Sequence, residues 1–295
     1  MGPIGTLLCG ALTADGQRVV ALEADSSIPG VATATDLGVP VVIGDPTDAT
    51  VLRSVRAERA KRVVAVADSD AVNAAIAAAI RTLPRSSTLP ALRCAVHLTD
   101  TELASLLRST ELAGGTGPRV EFFNLHERAA GTVLAEHPLV GPADGTSPHL
   151  VVMGLGQFGR NVVLTAARQH LFDTGRPLSV TLVDRFAEAR YHALRMQHPA
   201  LADAVEATCI DLDLGAPVGA AVDQFEAVLR DRPPSLVVVA FDDESLAWTS
   251  GLFVRSRATD ASTTIVIRTA SDGGLAGLLD VAEARSARAA RLATF

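Results

Sequence analysis

The stretch His149-Leu-Val-Val-Met-Gly154-Leu-Gly156-Gln157-Phe158-Gly159-Arg-Asn, followed by Ser179-Val-Thr-Leu-Val-Asp184, decides the fold. An apolar strand runs into Gly-x-Gly-x-x-Gly, then into a helical segment, then into a second apolar strand that ends in a carboxylate. Each glycine has a separate physical task. Gly154 permits the tight turn, Gly156 lets the backbone approach a diphosphate, and Gly159 lets the helix pack on the strand. The diphosphate would lie at the helix N-terminus, where free N–H groups and the helix dipole favour an anion. Asp184 comes 25 residues after Gly159, near the ~20 residues expected of an acid that accepts hydrogen bonds from ribose hydroxyls.

Working outward, the two halves of the chain carry the same punctuation. Arg18-Val-Val-Ala-Leu-Glu23 matches Val180-Thr-Leu-Val-Asp184, and Val41-Val-Ile-Gly-Asp45 matches Ala207-Thr-Cys-Ile-Asp211. Arg62-Val-Val-Ala-Val-Ala-Asp68 matches Leu236-Val-Val-Val-Ala-Phe-Asp242, and Ala91-Leu-Arg-Cys-Ala-Val-His97 matches Thr264-Ile-Val-Ile-Arg268. Helices are expected between them, over 48–55, 71–81 and 101–108 in the first half, and over 185–197, 218–229, 245–256 and 274–279 in the second. Continuous Val/Ile runs alternating with helices indicate parallel strands buried on both faces. The corresponding acids lie 161, 166 and 174 residues apart, so the economical reading is two tandem doubly wound α/β domains. The Gly/Pro-rich stretch 138–148 reads as the linker between a first domain, 1–137, and a second, 149–295. A helix over 124–136, opening at Asn124 with Glu127 in capping-box position, is expected to bridge them. A further helix carrying Arg285, Arg288 and Arg291 is expected over 281–295.

The bulk numbers exclude several classes of function. A length of 295 residues, 48% of them hydrophobic, suits two packed cores. The net charge of −7 and the lack of any Lys/Arg run argue against nucleic acid as a partner. No apolar run approaches the ~18–20 residues of a membrane span. Cys9, Cys94 and Cys209 are odd in number and far apart, which suggests reduced thiols in a cytoplasmic protein and no metal site. Lys61 is the only lysine, so there is neither a Gly-Lys-Ser/Thr phosphate loop nor a Tyr-x-x-x-Lys pair; Tyr191 is followed four residues later by Arg195.

The run Leu37-Gly-Val-Pro-Val-Val-Ile-Gly44-Asp45-Pro-Thr-Asp48, then Leu52, then Ala60-Lys-Arg-Val-Val-Ala-Val-Ala-Asp68-Ser-Asp70-Ala-Val-Asn73 resembles the TrkA-N, or RCK N-terminal, domain family. That family regulates potassium conductance and transport. The resemblance covers most of 2–123 and, more loosely, 149–280. It implies a Rossmann fold that binds NAD(H) or ATP/ADP, a homo-oligomer of such domains, and a membrane potassium channel or transporter subunit as partner. Carried over residue by residue, the family's acid after the second strand falls on Glu23 and Asp184. Its adenine-side aspartate falls on Asp45 and on Asp211, where Ile210 replaces the glycine. Its loop after the fourth strand falls on Ala67 and Asp68, and on Ala240 and Phe241. Aspartates at strand ends also cap helices, so Asp45, Asp48 and Asp68 have both readings open. Glu23 and Asp184 favour free ribose hydroxyls over a 2′-phosphate. Arg185 could stack on adenine, accept a 2′-phosphate, or face solvent.

The first half begins oddly. Gly2-Pro-Ile-Gly5 aligns with Gly156-Gln-Phe-Gly159, so the first glycine and the strand before it have no counterpart. A start downstream of the true one, a gap filled by another segment or subunit, and a rearranged ligand-free scaffold are all open. The second half, whose loop is whole, is the expected nucleotide binder. No catalytic constellation is recognisable, and His97, at a strand end, is the best single proton-transfer candidate. The leading expectation is a non-enzymatic regulatory module. An NAD-dependent oxidoreductase of unrecognised substrate and a ligand-free interaction scaffold are the alternatives.

Overall fold

The computed structural model describes residues 1–86, 88–100, 103–104, 106–107, 109, 118–141, 145–258 and 263–269, and the backbone of 291–294. The chain divides into two compact units, Met1–Leu125 and His126–Phe295. No helix among the described residues is long and apolar enough to cross a membrane.

The first unit runs α1 (Pro3–Ala14), β1 (Ala21–Glu23), α2 (Pro29–Asp36), β2 (Val41–Ile43), α3 (Ala49–Ser54), β3 (Arg62–Ala65), α4 (Asp70–Arg81), β4 (Arg93–His97) and β5 (Arg119–Phe123). Pro3 opens α1 and Pro29 opens α2, where a missing N–H costs nothing and φ is already helical. Asp48 caps α3 by accepting from the Thr50 N–H at 2.7 Å. The strands form two separate parallel sheets, β1-β2 and β3-β4-β5. Among the described residues no strand joins β1 to β3. Leu22, Val63 and Val64 are half-buried.

The second unit begins in α5 (Leu125–Glu136), whose first residue is the last of unit one. It continues through β6 (His149–Met153), α6 (Gln157–Thr174), β7 (Leu178–Asp184), α7 (Ala187–Gln197), α8 (Leu201–Ala204), β8 (Val205–Asp211), α9 (Ala220–Asp231), β9 (Leu236–Val239), α10 (Glu244–Arg255), β10 (Thr264–Ile267) and β11 (Arg291–Thr294). One six-stranded sheet has the order β11-β10-β9-β6-β7-β8, every neighbouring pair parallel. This is the doubly wound order 3-2-1-4-5-6 read from its other edge. Both faces are covered. Leu150 and Val152 join α5, α6 and α7 in one core through Ala130, Val133, Val162, Val163 and Leu194. Val151 and Met153 join α9 and α10 in the other, through Phe225, Leu229 and Trp248. Every residue of β6 and β7 is buried, each large apolar side chain contributing about 1.5–3 kcal/mol.

One sequence expectation changes. Arg291 stands in the edge strand β11, paired with β10 from Thr264–Arg291 to Ile267–Thr294, where a helix over 281–295 was expected. Ladder hydrogen bonds to an open sheet edge outweigh an arginine spacing that is only compatible with a helix. Arg285, Arg288 and the helix expected over 274–279 lie outside the described residues, as does part of that over 101–108. The helix over 125–136 buries Ala130, Val133 and Leu134 in the core of the second unit.

Candidate functional site

The glycine loop of the second unit joins β6 to α6 at the C-terminal edge of the sheet. Gly154 has φ 93°, the left-handed region that glycine enters without strain. A Cβ there would also meet the Phe241 ring at 2.9 Å. A Cβ on Gly159 would come within 1.9 Å of the Gly154 carbonyl oxygen, so helix and loop touch backbone to backbone. Gly156 is the N-cap of α6 and makes no side-chain cap, leaving the helix N-terminus bare. Gln157 and Phe158 open the helix, and Phe158 is buried.

Asp184 ends β7 beside this loop. Its Oδ2 accepts from the Leu155 N–H at 2.7 Å and from Arg190 at 3.1 Å, while Oδ1 accepts from the Phe186 N–H at 3.2 Å. Its side chain is 6% exposed. The acid therefore braces the glycine loop before any ligand arrives, with Arg190 balancing its charge. Arg190 was not legible as part of the site, although its place six residues after Asp184, on α7, could have suggested it. Arg185 faces solvent and pairs with Asp213 at 2.9 Å. Asp211 accepts from the Glu188 N–H at 3.1 Å and so serves the first turn of α7. Between them, Cys209 has its thiol pushed up to about 11, first by burial and then by the charges of Glu188 and Asp211.

Ala240 and Phe241 follow β9 in the same edge, with the Ala240 N–H donating to Met153 at 2.8 Å. Phe241 closes on Gly154, and Asp242 on Gly156, whose Cβ position lies 3.9 Å from Asp242 Oδ2. Asp242 is held by Arg268, and the Arg268 guanidinium stands 5.7 Å from the centre of the Phe158 ring. Neither Asp242 nor Arg268 was singled out from sequence; only the register of β9 against β10 brings them together.

The first unit repeats this frame without the turn. Gly2 caps α1. The Met1 amino group pairs with Glu23 as the Leu155 amide bonds to Asp184. Glu23 Oε1 also accepts from the Ala24 and Asp25 N–H groups, at 2.8 and 3.2 Å. These bonds and the Met1 charge hold its carboxyl below the usual range against the opposing effect of burial. Asp45 is spent locally, accepting from the Thr47 N–H at 2.8 Å and hydroxyl at 2.7 Å. Asp68 Oδ1 lies 3.2 Å from the Cβ position of Gly2. The glycine contacts thus pair Asp68 with Asp242 and Val66 with Ala240, the register that the match of 62–68 to 236–242 expects.

Ala67 is clamped by Asn73. Its N–H donates to Asn73 Oδ1 at 2.8 Å, and Asn73 Nδ2 donates to the carbonyls of Ala67 at 2.8 Å and His97 at 3.0 Å. Asp70 accepts from the Thr99 N–H, the Thr99 hydroxyl and the Asp100 N–H. The Asp-x-x-Asn motif of 70–73 is therefore a fastener between the loops after β3 and β4. His97 itself is 5% exposed, its ring 5.5 Å from that of Phe123. Burial lowers its pKa, opposed by the charge of Asp70.

A bare helix N-terminus and a braced acid at the tip of a parallel, doubly wound sheet define a Rossmann-type α/β protein. Residues 1–111 match the TrkA-N domain family, which bears out the resemblance carried by Gly44-Asp45 and Asp70–Asn73. No curated protein matches the chain. Among solved structures, it is similar to GsuK bound to ADP, with 21% identity and a TM-score of 0.59 over 100% of this chain and 64% of that one. It is similar to the GsuK channel bound to NAD, at 17% identity and TM-score 0.61 over 100% of this chain and 60% of that one. For the GsuK RCK domain the values are 18% and 0.58, over 100% of this chain and 72% of that one. At these identities the likeness speaks for the fold. The chain spans 64% of the length of the first of these relatives.

Proposed function

We propose that this chain is a nucleotide-binding regulatory module. Its second unit takes NAD(H), or ATP/ADP, at Gly154–Gly159 with Asp184 on the ribose, and occupancy of that crevice is read by a potassium channel or transporter. The observation that carries the reading is the whole strand–glycine-loop–helix unit with its acid already braced at the end of β7. Asp184 Oδ1 holds one long bond, at 3.2 Å, and keeps acceptor capacity for a ribose hydroxyl. Two of the similar structures are of a protein bound to ADP or NAD, which supports both ligand classes. In the first unit Glu23 and Asp45 are already engaged in local turns, which supports the second unit as the binder. Arg185 and Asp211, engaged on the surface, contribute less to the ligand than Asp184. His97 lies buried in the first unit, which does not favour it as a proton-transfer group. A nucleotide can act as a signal only by binding two states of the module with different affinity. Self-association and the channel partner belong to the same proposal.

Calorimetry on the purified chain with NAD, NADH, ATP and ADP tests it. At least one should bind, without hydride transfer, and Asp184→Ala should weaken it by ~1.5–3 kcal/mol, about ten- to a hundredfold. Because Asp184 also braces Leu155, the ligand-free melting temperature of the variant is measured in parallel. Binding of none of the four, or an unchanged dissociation constant in a folded Asp184→Ala, overturns the reading. Oxidation of NADH would move it to an oxidoreductase.

A further inference from the structure

The bare N-terminus of α6 is faced by a pair of opposite charges drawn from two other strands. Asp242, from the loop after β9, brings Oδ2 to 3.9 Å from the Cβ position of Gly156. Arg268, the residue after β10, holds the other oxygen of Asp242 and stands over Phe158. The pair is reachable from solvent, the Asp242 side chain being 81% exposed and that of Arg268 31%. A carboxylate near a helix N-terminus is electrostatically at home there. It is also in the way, because a diphosphate placed on the same N–H groups would meet a like charge.

The first unit supplies an internal control. Asp68 faces Gly2 as Asp242 faces Gly156. Arg62 lies opposite Arg93 in β3-β4 as Leu236 lies opposite Thr264 in β9-β10. Four residues further along, these registers put His97 where the second unit has Arg268. His97 is buried and its pKa is lowered. The acid is thus repeated in both halves, whereas a permanent cation stands at that strand tip in the second half alone. An arginine is suited to the task, since its fork of donors fits phosphate and carboxylate alike.

We infer that Arg268 and Asp242 form a charge latch on the nucleotide crevice, and this rests on the nucleotide reading above. Asp242 stands in for the ligand's diphosphate, and Arg268 is the diphosphate's counter-cation. Binding exchanges one anion for the other on Arg268 and releases Asp242. The next residue, Asp243, is the N-cap of α10 and accepts from the Leu246 N–H at 2.7 Å. Release of Asp242 therefore acts directly on the start of α10, which carries occupancy of the crevice to that helix.

The test is calorimetry on the full chain with NAD, ADP and adenosine, in wild type, Asp242→Asn, Arg268→Gln and Arg268→Lys, each checked for folding by thermal denaturation. Asp242→Asn removes the competing charge and should tighten NAD or ADP several-fold. Arg268→Gln should weaken them about tenfold, and Arg268→Lys should weaken them less, which keeps the arginine arm informative if the glutamine variant does not fold. Adenosine has no phosphate and should respond to none of the changes. If NAD or ADP binds wild type but the variants leave affinity unchanged, or Asp242→Asn weakens it, the latch is overturned and the nucleotide reading stands. If none of the nucleotides binds wild type, both are overturned.

Discussion

At the scale of single residues, the loop separates glycines required by the fold from one whose Cβ position the fold leaves open. Gly159 has its Cβ position 1.9 Å from a backbone oxygen, which no side-chain movement can relieve, whereas Gly156 meets nothing nearer than 3.9 Å. Gly159→Ala should therefore lower the stability of the second unit by about 1–3 kcal/mol, the usual cost of forced overpacking. Gly156→Ala should leave stability nearly unchanged and act on the ligand alone. Urea denaturation followed by Trp248 reads this cleanly, because Trp248 is the only tryptophan and is buried in the second unit. Equal stability of Gly159→Ala and wild type would contradict the close approach. The sequence shows all three glycines and places Asp184 at a strand end. It does not show that Asp184 is shared between Leu155 and Arg190, or that Asp242 meets Arg268. Those contacts join residues 26 or more apart, or depend on a helix's rotation, and side-chain direction across strands is set only once the sheet register exists.

At the scale of elements, the parallel strands were legible because each is a continuous Val/Ile run bounded by Gly, Pro or Asp. Their observed ends fall within a few residues of the expected ones, for example Arg62–Ala65 for the run from Arg62 to Asp68. The elements missed lack that signal. The helix Pro29–Asp36 is short and has one buried residue, Ala34. The strand Arg119–Phe123 is exposed or half-buried at every position but Phe122. What the Asp-x-x-Asn motif does was also hidden, since a clamp on two loops needs the sheet to place them. Asn73 satisfies the N–H and carbonyl of Ala67 and the carbonyl of His97 from a fully buried position. Asn73→Ala leaves buried backbone groups short of a partner and should cost about 1–3 kcal/mol in the first unit. Asn73→Asp keeps the acceptor for the Ala67 N–H but sets a buried carboxylate oxygen against the carbonyls of Ala67 and His97, and should cost at least as much. Hydrogen exchange of peptides spanning 62–81 and 93–100 checks this. Loss of protection at both loops is expected, and protection equal to wild type would show the clamp to be dispensable.

At the scale of the whole molecule, the internal repeat was readable, and its two copies solve the same burial problem to different degrees. The second sheet has six strands in one layer; the first is split in two, with β1 and β3 each paired on one side. The second unit also encloses a histidine at the base of its central strand, and this makes its stability depend on pH. His149 is buried, and its Nδ1 lies 2.7 Å from the Arg232 carbonyl. A carbonyl only accepts, so that nitrogen carries the proton, and in the neutral ring Nε2 accepts from the Thr181 hydroxyl at 2.8 Å. Burial lowers the His149 pKa below its ordinary value, and the nearby charge of Arg232 adds to this, against the bond to the Arg232 carbonyl. The folded unit then refuses a proton that the unfolded chain accepts near pH 6.5. Its stability is full above that value and is lost as the pH falls from there towards the folded pKa, by at most ~1.4 kcal/mol per pH unit for one such group. The urea midpoint read at Trp248 should fall between pH 7.5 and 5.5. In His149→Gln it should fall less, with a residual slope left by His170, whose pKa burial also lowers. The same slope in the variant as in wild type would mean that the neutral, doubly bonded state of His149 does not control acid stability.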